Sequence, residues 1–321
     1  MRVAATIVNY RTPELAAKVA TSLLTQLRPL GAHHLYLVDN ASGDHSLEHF
    51  RLSAEREIWG DGVTVIASAR NGGYGYAINL ALGHARAQAD VPDYLYVLNS
   101  DAFADEGTLG RLLDFMDADA RVGIVGSRIH APDGPTQVAA FRFPTILGEL
   151  EQAMHLGLAT RLLHKQRISI PEPTSSCEVD WISGTSMLVR RQVFEEIGPF
   201  DEGFFLYFEE TDFCRSAKRA GWKICFVADA PVTHLGSVST GLADKSRRIP
   251  RYWFDSRHRY LLKHHGLAYT ALCDGAFVVG TALWRVKERL LRCGGKDRPY
   301  LIRDLLASSV RDLWGWESHA P

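Results

Sequence analysis

The residues with the clearest chemical potential sit in a few short polar sites. Asp101 follows the apolar run Tyr94-Leu95-Tyr96-Val97-Leu98 and closes the triplet Asn99-Ser100-Asp101. A carboxylate at the end of a buried strand suits a hard divalent cation, which takes oxygen ligands and keeps positions for phosphate oxygens. A turn or cap role competes with that reading, and Asp105, just ahead of a helical run, fits the cap role better. Further on, Glu209, Glu210 and Asp212 crowd three carboxylates into four residues. Capping by Thr211 and the helix dipole account for one or two of them. A third is available as a general base toward a hydroxyl. His234, followed by Leu235-Gly236-Ser237, has the chemistry of a metal ligand or a phosphate contact, against the commoner structural role of a lone histidine.

Two further sites would handle a nucleotide. Asp39 ends an apolar run and can accept hydrogen bonds from a base or ribose, or simply form an Asx-turn. The segment Arg70-Asn71-Gly72-Gly73-Tyr74-Gly75-Tyr76-Ala77-Ile78-Asn79 lets backbone approach a ligand closely, with a helix N-terminus behind it that favours anions. It is neither a GxGxxG fingerprint nor a P-loop, and a glycine turn without a ligand reads it equally well.

The elements that must position these groups alternate. Strands are expected over 3–8, 35–38, 63–67 and 94–98, with helices from Thr12-Pro13-Glu14 (Thr as cap, Pro in the first turn) and over 76–87. Such alternation implies a parallel sheet covered on both faces, with ligands beyond the carboxyl ends of its strands. Four polar clusters fall at those ends: Asn9-Tyr10, Asp39-Asn40, Arg70-Asn71-Gly72-Gly73 and Asn99-Ser100-Asp101. Later strands are expected at 124–127, 186–189, 224–227 and 232–233, and helices around 147–163, over 191–197 and from the acidic cluster to Ala220, with Gly221 as its C-cap. From about Ser246 the chain reads as basic helices, including an amphipathic segment with Leu283, Val286, Leu290 and Leu291 against Arg285, Lys287, Arg289 and Arg292.

Composition bounds the class. With 321 residues, 46% apolar and 23% charged, the chain is globular. From Ser246 onward it holds 14 Lys/Arg and 7 Asp/Glu, against 22 and 30 before that point. This asymmetry suggests two regions, 1–245 and 246–321, with different partners. Five scattered cysteines without a CxxC pair argue against a disulfide framework or zinc site and for a reducing compartment. No signal peptide is expected, and no run reaches about 18 uninterrupted apolar residues. The nearest approach, 266–283, is broken by Asp274. The expected location is the cytoplasm, with a peripheral place on the inner face of the membrane left open.

Taken in order, these motifs resemble the family 2 inverting glycosyltransferases, and most closely their rhamnosyltransferase-like bacterial branch, over roughly residues 3–265. Ile7-Val8-Asn9-Tyr10 and Leu37-Val38-Asp39-Asn40-Ala41-Ser42 resemble the family's nucleotide pocket. Asn71-Gly72-Gly73 with Gly75 and Asn79 is similar to its second donor segment, and Leu98-Asn99-Ser100-Asp101 to its metal motif. Phe200-Asp201-Glu202 with 204–214 resembles the acceptor and base segment, and His234 with Gly236 and Ser237 the late histidine motif. The resemblance implies a GT-A fold (a Rossmann-like α/β, mostly parallel sheet flanked by helices) followed by a C-terminal helical extension. It implies displacement with inversion at the anomeric carbon, and Mg2+ or Mn2+ held by Asp101 and His234. By position Glu210 is the base, with Glu209 and Asp212 as alternatives. Asn9, Tyr10, Asp39, Asn71, Gly72, Gly75, Asn79, Asn99 and Ser100 fall to the donor, and Trp181 and Gly184 to the acceptor. Arg257 and Arg259 are placed to reach the diphosphate or an anionic lipid carrier. Two departures stand out. The usual Glu-Asp is Glu209-Glu210 here, and Asp101 is the sole carboxylate of its triplet.

The implied reaction moves rhamnose from dTDP-rhamnose to a hydroxyl of a saccharide or lipid-linked glycan in polysaccharide assembly. A UDP-hexose donor and a non-catalytic sugar- or nucleotide-binding protein with a decayed site are the alternatives. The basic helices suit an anionic membrane surface or docking onto the catalytic region. No nucleic acid is expected as partner, and a homodimer stays open. A nicotinamide-dependent oxidoreductase is excluded, because Asn9-Tyr10-Arg11-Thr12-Pro13 stands where glycines would follow the first strand. A sugar-nucleotide pyrophosphorylase is disfavoured by the lack of a glycine- and arginine-containing loop there.

Overall fold

The computed structural model describes residues 2–57, 59–88, 91–236, 246–291 and 298–313. In chain order its main elements are β1 (Val3–Asn9), α1 (Pro13–Leu27), β2 (His33–Asp39), α2 (Ser46–Glu57), β3 (Val63–Ala67), α3 (Tyr74–Arg86), β4 (Tyr94–Asn99) and β5 (Ala102–Ala104). Then come α4 (Thr108–Asp117), β6 (Val122–His130), β7 (Thr136–Gln137), β8 (Ala140–Phe141), α5 (Ile146–Met154) and α6 (Gly157–Leu162). The rest is β9 (Cys177–Glu178), β10 (Trp181–Ile182), β11 (Ser186–Arg190), α7 (Arg191–Ile197), α8 (Glu209–Arg219), β12 (Lys223–His234), α9 (Arg251–Leu291) and α10 (Leu301–Leu313). They divide into two units. The first comprises Met1–Phe141, Pro171–Gly203 and Glu209–Thr240; the second comprises Arg142–Ile170, Phe204–Phe208 and Gly241–Pro321.

Among the described residues, the first unit holds a ten-stranded sheet ordered β3-β2-β1-β4-β11-β6-β12-β5, with β7 on β6 and β9 on β12. β1 is parallel to β2 and β4, β2 to β3, and β6 to β12; β11 runs antiparallel between β4 and β6. All seven residues of β1 are buried, as a strand covered on both faces requires. This is the expected mostly parallel α/β sheet of a GT-A fold, with helices on its faces.

Local departures from the sequence reading have physical causes. Thr12 does not cap α1 through its side chain. Its backbone N and Oγ1 both donate to Asn9 Oδ1, at 3.1 and 3.2 Å, which ties the turn to the end of β1 instead. The strands expected at 224–227 and 232–233 are one strand, β12, whose register slips between Val227 and Pro231. The helical stretch around 147–163 breaks at His155, which takes φ 44°, into α5 and α6.

The second unit is helical among its described residues. α9 is two helices joined at Gly266, whose φ of 78° with ψ 174° is comfortable only for glycine. Phe254 and Phe277 of α9 pack with Ala153 of α5 and Leu305 of α10. A second cluster joins Phe204, Tyr260, Leu261 and Cys273. Gly280 lets α9 approach α5 closely: a Cβ there would lie 2.7 Å from Ala153 Cβ and 2.8 Å from the Leu150 carbonyl oxygen. By length and composition α9 is long and apolar enough to cross a membrane. Cys177, Cys214, Cys225 and Cys273 are free thiols, and Cys293 lies outside the described residues.

Candidate active site

The parallel register aligns the polar strand ends. Asn9 pairs with Asp39, Val8 with Asn99, and Asp39 with Ala67, so the carboxyl ends of β1, β2, β3 and β4 share one edge. Asn9 and Asp39 are both buried there. The Asn9 amide donates to Asp39 Oδ1 at 2.8 Å, and to the hydroxyls of Ser46 (3.0 Å) and Ser42 (3.2 Å). With its oxygen taken by Thr12, Asn9 is saturated by the protein and acts by orienting Asp39. The Asp39 carboxylate also accepts from Ser42 Oγ at 2.5 Å and Ser42 N at 3.3 Å. Tyr10 is half-buried, with the Arg11 guanidinium 5.1 Å from its ring centre.

Asn40 connects this corner to the glycine segment. Its Nδ2 donates to Asn71 Oδ1 (2.9 Å) and to the Gly73 carbonyl (3.1 Å), while its own Oδ1 is buried with no partner in the protein. A buried orphan acceptor is costly, and a ligand N–H would relieve it. The two glycines assigned to the donor serve close packing. A Cβ at Gly72 would lie 2.3 Å from the Tyr76 ring, and one at Gly75 would lie 3.0 Å from Phe200 Cβ and 3.6 Å from Glu209 Cβ. Asn79 is used by the protein as well: its Nδ2 donates to the Phe200 carbonyl (2.9 Å) and Glu202 Oε1 (3.0 Å), and its Oδ1 accepts from Phe200 N (3.0 Å). It braces the turn before the acidic helix.

Tyr74, in the first turn of α3, ties the two halves of the site together. Its hydroxyl donates to Asn99 Oδ1 at 2.6 Å and contacts the Gly184 carbonyl at 3.2 Å. Burial, and then the nearby charges of Glu209, Glu210 and Asp101, push its phenol well above the usual tyrosine range. The Tyr74 phenol thus occupies one of the two acceptor positions of Asn99 Oδ1. Ser100 is buried, with its hydroxyl 3.4 Å from that of Thr12.

Asp101 is 6% exposed and its Oδ1 lies 3.2 Å from His234 Nε2. Gln137 fixes the imidazole. Its amide nitrogen donates to the His234 carbonyl (3.2 Å), so its oxygen, 2.8 Å from Nδ1, accepts the Nδ1 proton. With Nδ1 donating to Gln137, Nε2 faces the Asp101 carboxylate, as the donor of an ion pair or with that carboxylate as joint ligand of a divalent cation. Among the described residues no third His, Cys, Asp or Glu completes a protein-only site. The remaining positions of such a metal fall to phosphate oxygens and water.

α8 begins with Glu209, after Tyr207 and Phe208 both take φ 67°. Two consecutive bulky residues in the left-handed region are strained, a feature that concentrates where function fixes geometry. Glu209, Thr211 and Asp212 are buried and Glu210 is half-buried. Glu209 and Glu210 each keep a shielded Oε2 with no hydrogen-bond partner in the protein. Burial raises the Glu210 carboxyl to about 7, against the opposing effect of backbone hydrogen bonds that include Gly184. Burial and the charge of Glu210 push Glu209 well above the usual carboxylate range. Gly184 brings the pieces together: a Cβ built on it would lie 3.6 Å from the Tyr74 ring and 3.9 Å from the Glu210 carboxyl carbon.

Two assigned residues are used otherwise. Trp181 stacks on Phe141, with centroids 3.9 Å apart and planes at 10°, in the small β8–β10 sheet. Arg257 is corrected from donor contact to structural ion pair. It is 1% exposed within the second unit, with its guanidinium bonded to Glu149 (3.1 and 3.2 Å) and Asp274 (2.5 Å). Ser237 lies outside the described residues. Sequence reasoning missed Tyr74 and Gln137 as site groups. Tyr74 stood in the glycine segment as a spacer, and no local pattern marks Gln137, which reaches His234 from 97 positions away.

The model for "Glycosyltransferase like family 2" matches residues 1–250. The chain is 30% identical over 276 residues to an N-acetylglucosaminyl-diphospho-decaprenol L-rhamnosyltransferase of Mycobacterium tuberculosis, covering 82% of this chain and 80% of that one. It is 28% identical over 259 residues to the low-salt glycan biosynthesis hexosyltransferase Agl10 of Haloferax volcanii, covering 79% and 73%. Among solved structures, the mannosyltransferase PcManGT of Pyrobaculum calidifontis, in complex with GDP-Man and Mn2+, superposes with a TM-score of 0.59 at 15% identity over 98% of this chain and 88% of that one. S. aureus TarS 1–349 in complex with UDP-GlcNAc gives 0.56 at 14%, over 97% and 81%. A polar corner at the strand edge, an Asp–His pair and two glutamates with shielded oxygens thus sit in a chain whose family model spans most of its length: the protein belongs to glycosyltransferase family 2 and is a glycosyltransferase.

Proposed function

We propose that the protein transfers rhamnose from dTDP-rhamnose, with inversion, to a hydroxyl of a lipid-linked saccharide on the cytoplasmic side of the membrane. The observation that carries the reaction type is the continuous run Glu210–Gly184–Tyr74–Asn99, which leads through Ser100 to Asp101 and His234. It sets a candidate base and a candidate metal site on either side of one phenol. The acceptor oxygen forms its bond to the anomeric carbon while the bond from that carbon to the diphosphate breaks. The electron pair leaves with the diphosphate, and the acceptor proton passes to the Glu210 carboxylate. Asp101 and His234 would hold Mg2+ or Mn2+, which when bound offsets the charge gathering on the diphosphate. Burial, and then the charge of Glu210, raises Glu209, which disfavours a second charge on the pair. Asp39, oriented by Asn9, and the orphaned Asn40 Oδ1 serve the base and ribose.

The names of the M. tuberculosis relative and of the E. coli rhamnosyltransferase WbbL, 26% identical over 160 residues (48% of this chain and 58% of that one), support the rhamnose donor. The first also supports a polyprenyl-diphosphate-linked N-acetylglucosamine acceptor. The test is a transfer screen of dTDP-, UDP- and GDP-sugars against that acceptor, with and without Mn2+. Turnover confined to dTDP-rhamnose and dependent on metal is expected. Turnover with a UDP-hexose instead would replace the donor assignment.

A further inference from the structure

The C-terminal half of α9 is built inside out. Its buried line carries the polar groups Thr270, Asp274 and Thr281, together with Cys273, Phe277 and Gly280. Asp274 is held there by Arg257 at 2.5 Å and by Ser309 of α10 at 2.6 Å. The exposed line is Ala268, Leu272, Gly275, Val279, Leu283, Val286 and Leu290, spaced three or four residues apart on one face. From Leu267 to Leu290 it runs for roughly 35 Å at the helical rise, and none of the residues on that line is charged. Leu272 is 58% exposed, Val279 53% and Leu290 78%. Of the 18 large hydrophobic residues exposed among the described ones, 13 belong to the second unit, including Leu306 and Val310 on α10. A clustered apolar face of this length on a soluble surface marks a contact site.

Charge selects the occupant. Arg259 and Lys263 lie ahead of the apolar line, before the kink at Gly266, and Arg285, Lys287 and Arg289, with Glu288 among them, flank its last two turns; the chain from Ser246 on holds twice as many basic as acidic residues. A two-fold interface sets one patch against its own copy. Parallel or antiparallel, that would bring one basic end of the line onto another. An anionic bilayer satisfies both ends at once and accepts the aliphatic line into the acyl boundary. A spanning arrangement is disfavoured, because the opposite side of the same helix is packed on α5 and α10 around an ion pair. We propose that the outer face of the 267–290 helix, with Leu306 and Val310 of α10, lies flat on an anionic lipid surface as a monotopic anchor. This inference does not depend on which sugar is transferred.

The test is flotation of the full chain with vesicles of one part phosphatidylglycerol to two parts phosphatidylcholine, and with phosphatidylcholine alone. The wild type should float with the anionic vesicles and much less with the neutral ones. Leu272→Glu with Val279→Glu, both at exposed positions, should lower partitioning roughly tenfold or more. Lys263→Ser with Arg289→Ser should remove the preference for anionic lipid, and Leu47→Glu in the first unit should change neither. Donor hydrolysis in solution should be unaltered in all three variants, which separates this outcome from any failure of the glycosyl-transfer reading. A wild type that stays with neither vesicle, or partitioning that survives both glutamates, would overturn the proposal. So would a lipid-free dimer that the two glutamates split, since the face would then join two copies of the chain.

Discussion

Glu210 differs from an ordinary surface glutamate in having one oxygen sealed from water and bonded to nothing in the protein. With its carboxyl raised to about 7, the fraction able to accept a proton grows as pH rises through that value. Transfer should therefore increase from pH 6 to pH 8 along a single-proton limb, measured as kcat/KM with saturating metal. Glu209→Gln should leave that limb in place, because burial and backbone hydrogen bonds, not Glu209, set the Glu210 carboxyl. The ionisation of Glu210 also bears on stability, with a definite sign. A carboxyl raised above its unfolded value stabilises the fold while protonated, and that contribution is lost as pH rises through about 7. Glu210→Gln should thus be more stable than the wild type at pH 8, by roughly 1–2 kcal/mol after allowance for its half-exposure, and indistinguishable from it near pH 4. Denaturant melts at the two pH values check this. At the metal site, Gln137 sets the imidazole tautomer without touching the metal position. Gln137→Ala should weaken Mn2+ binding roughly ten- to a hundredfold, read by titration of the free ion.

At the scale of elements, α3 is positioned by glycines whose side-chain space is already filled. Gly72→Ala would drive a methyl group into the Tyr76 ring, which stands 2.3 Å from where that carbon must go. Overpacking of this kind should cost about 1–3 kcal/mol, and the accompanying displacement of Tyr74 should lower turnover more than it lowers donor affinity. The strand ends that carry Asn9, Asp39 and Asn99 were legible in the sequence because burial on both faces writes unbroken apolar runs, and polar residues must interrupt them at the sheet edge. The role of each polar residue was not legible. Asn9 and Asn79 lie in donor motifs, yet their amides are saturated by Asp39, Thr12 and the turn at Phe200. A motif records that a residue type is required at a place. It does not record whether that residue faces the ligand or holds another one that does. Gln137 and Tyr74 escaped for the opposite reason, since their partners come from distant segments.

For the whole molecule, the chain enters the second unit three times, at 142–170, 204–208 and 241–321. The step in charge at Ser246 was visible in the composition, but the packing of α5 beneath α9 was not, because its pairs are more than a hundred residues apart. A chain ending at residue 245 should therefore not behave as a folded unit with a free tail removed. It would strip α5 of the partner that covers Glu149 and Ala153, and we expect aggregation or a broadened, non-cooperative melt by circular dichroism. Arg257→Met in the full chain should cost roughly 3–5 kcal/mol, because Glu149 and Asp274 would lose their shared counter-charge inside that packing. As the proton acceptor in glycosyl transfer, Glu210 should be needed for chemistry and not for donor binding. Glu210→Gln should bind the nucleotide-sugar donor within a few-fold of the wild type by calorimetry while losing about a hundredfold or more in transfer rate. Near-normal transfer by that variant would contradict it.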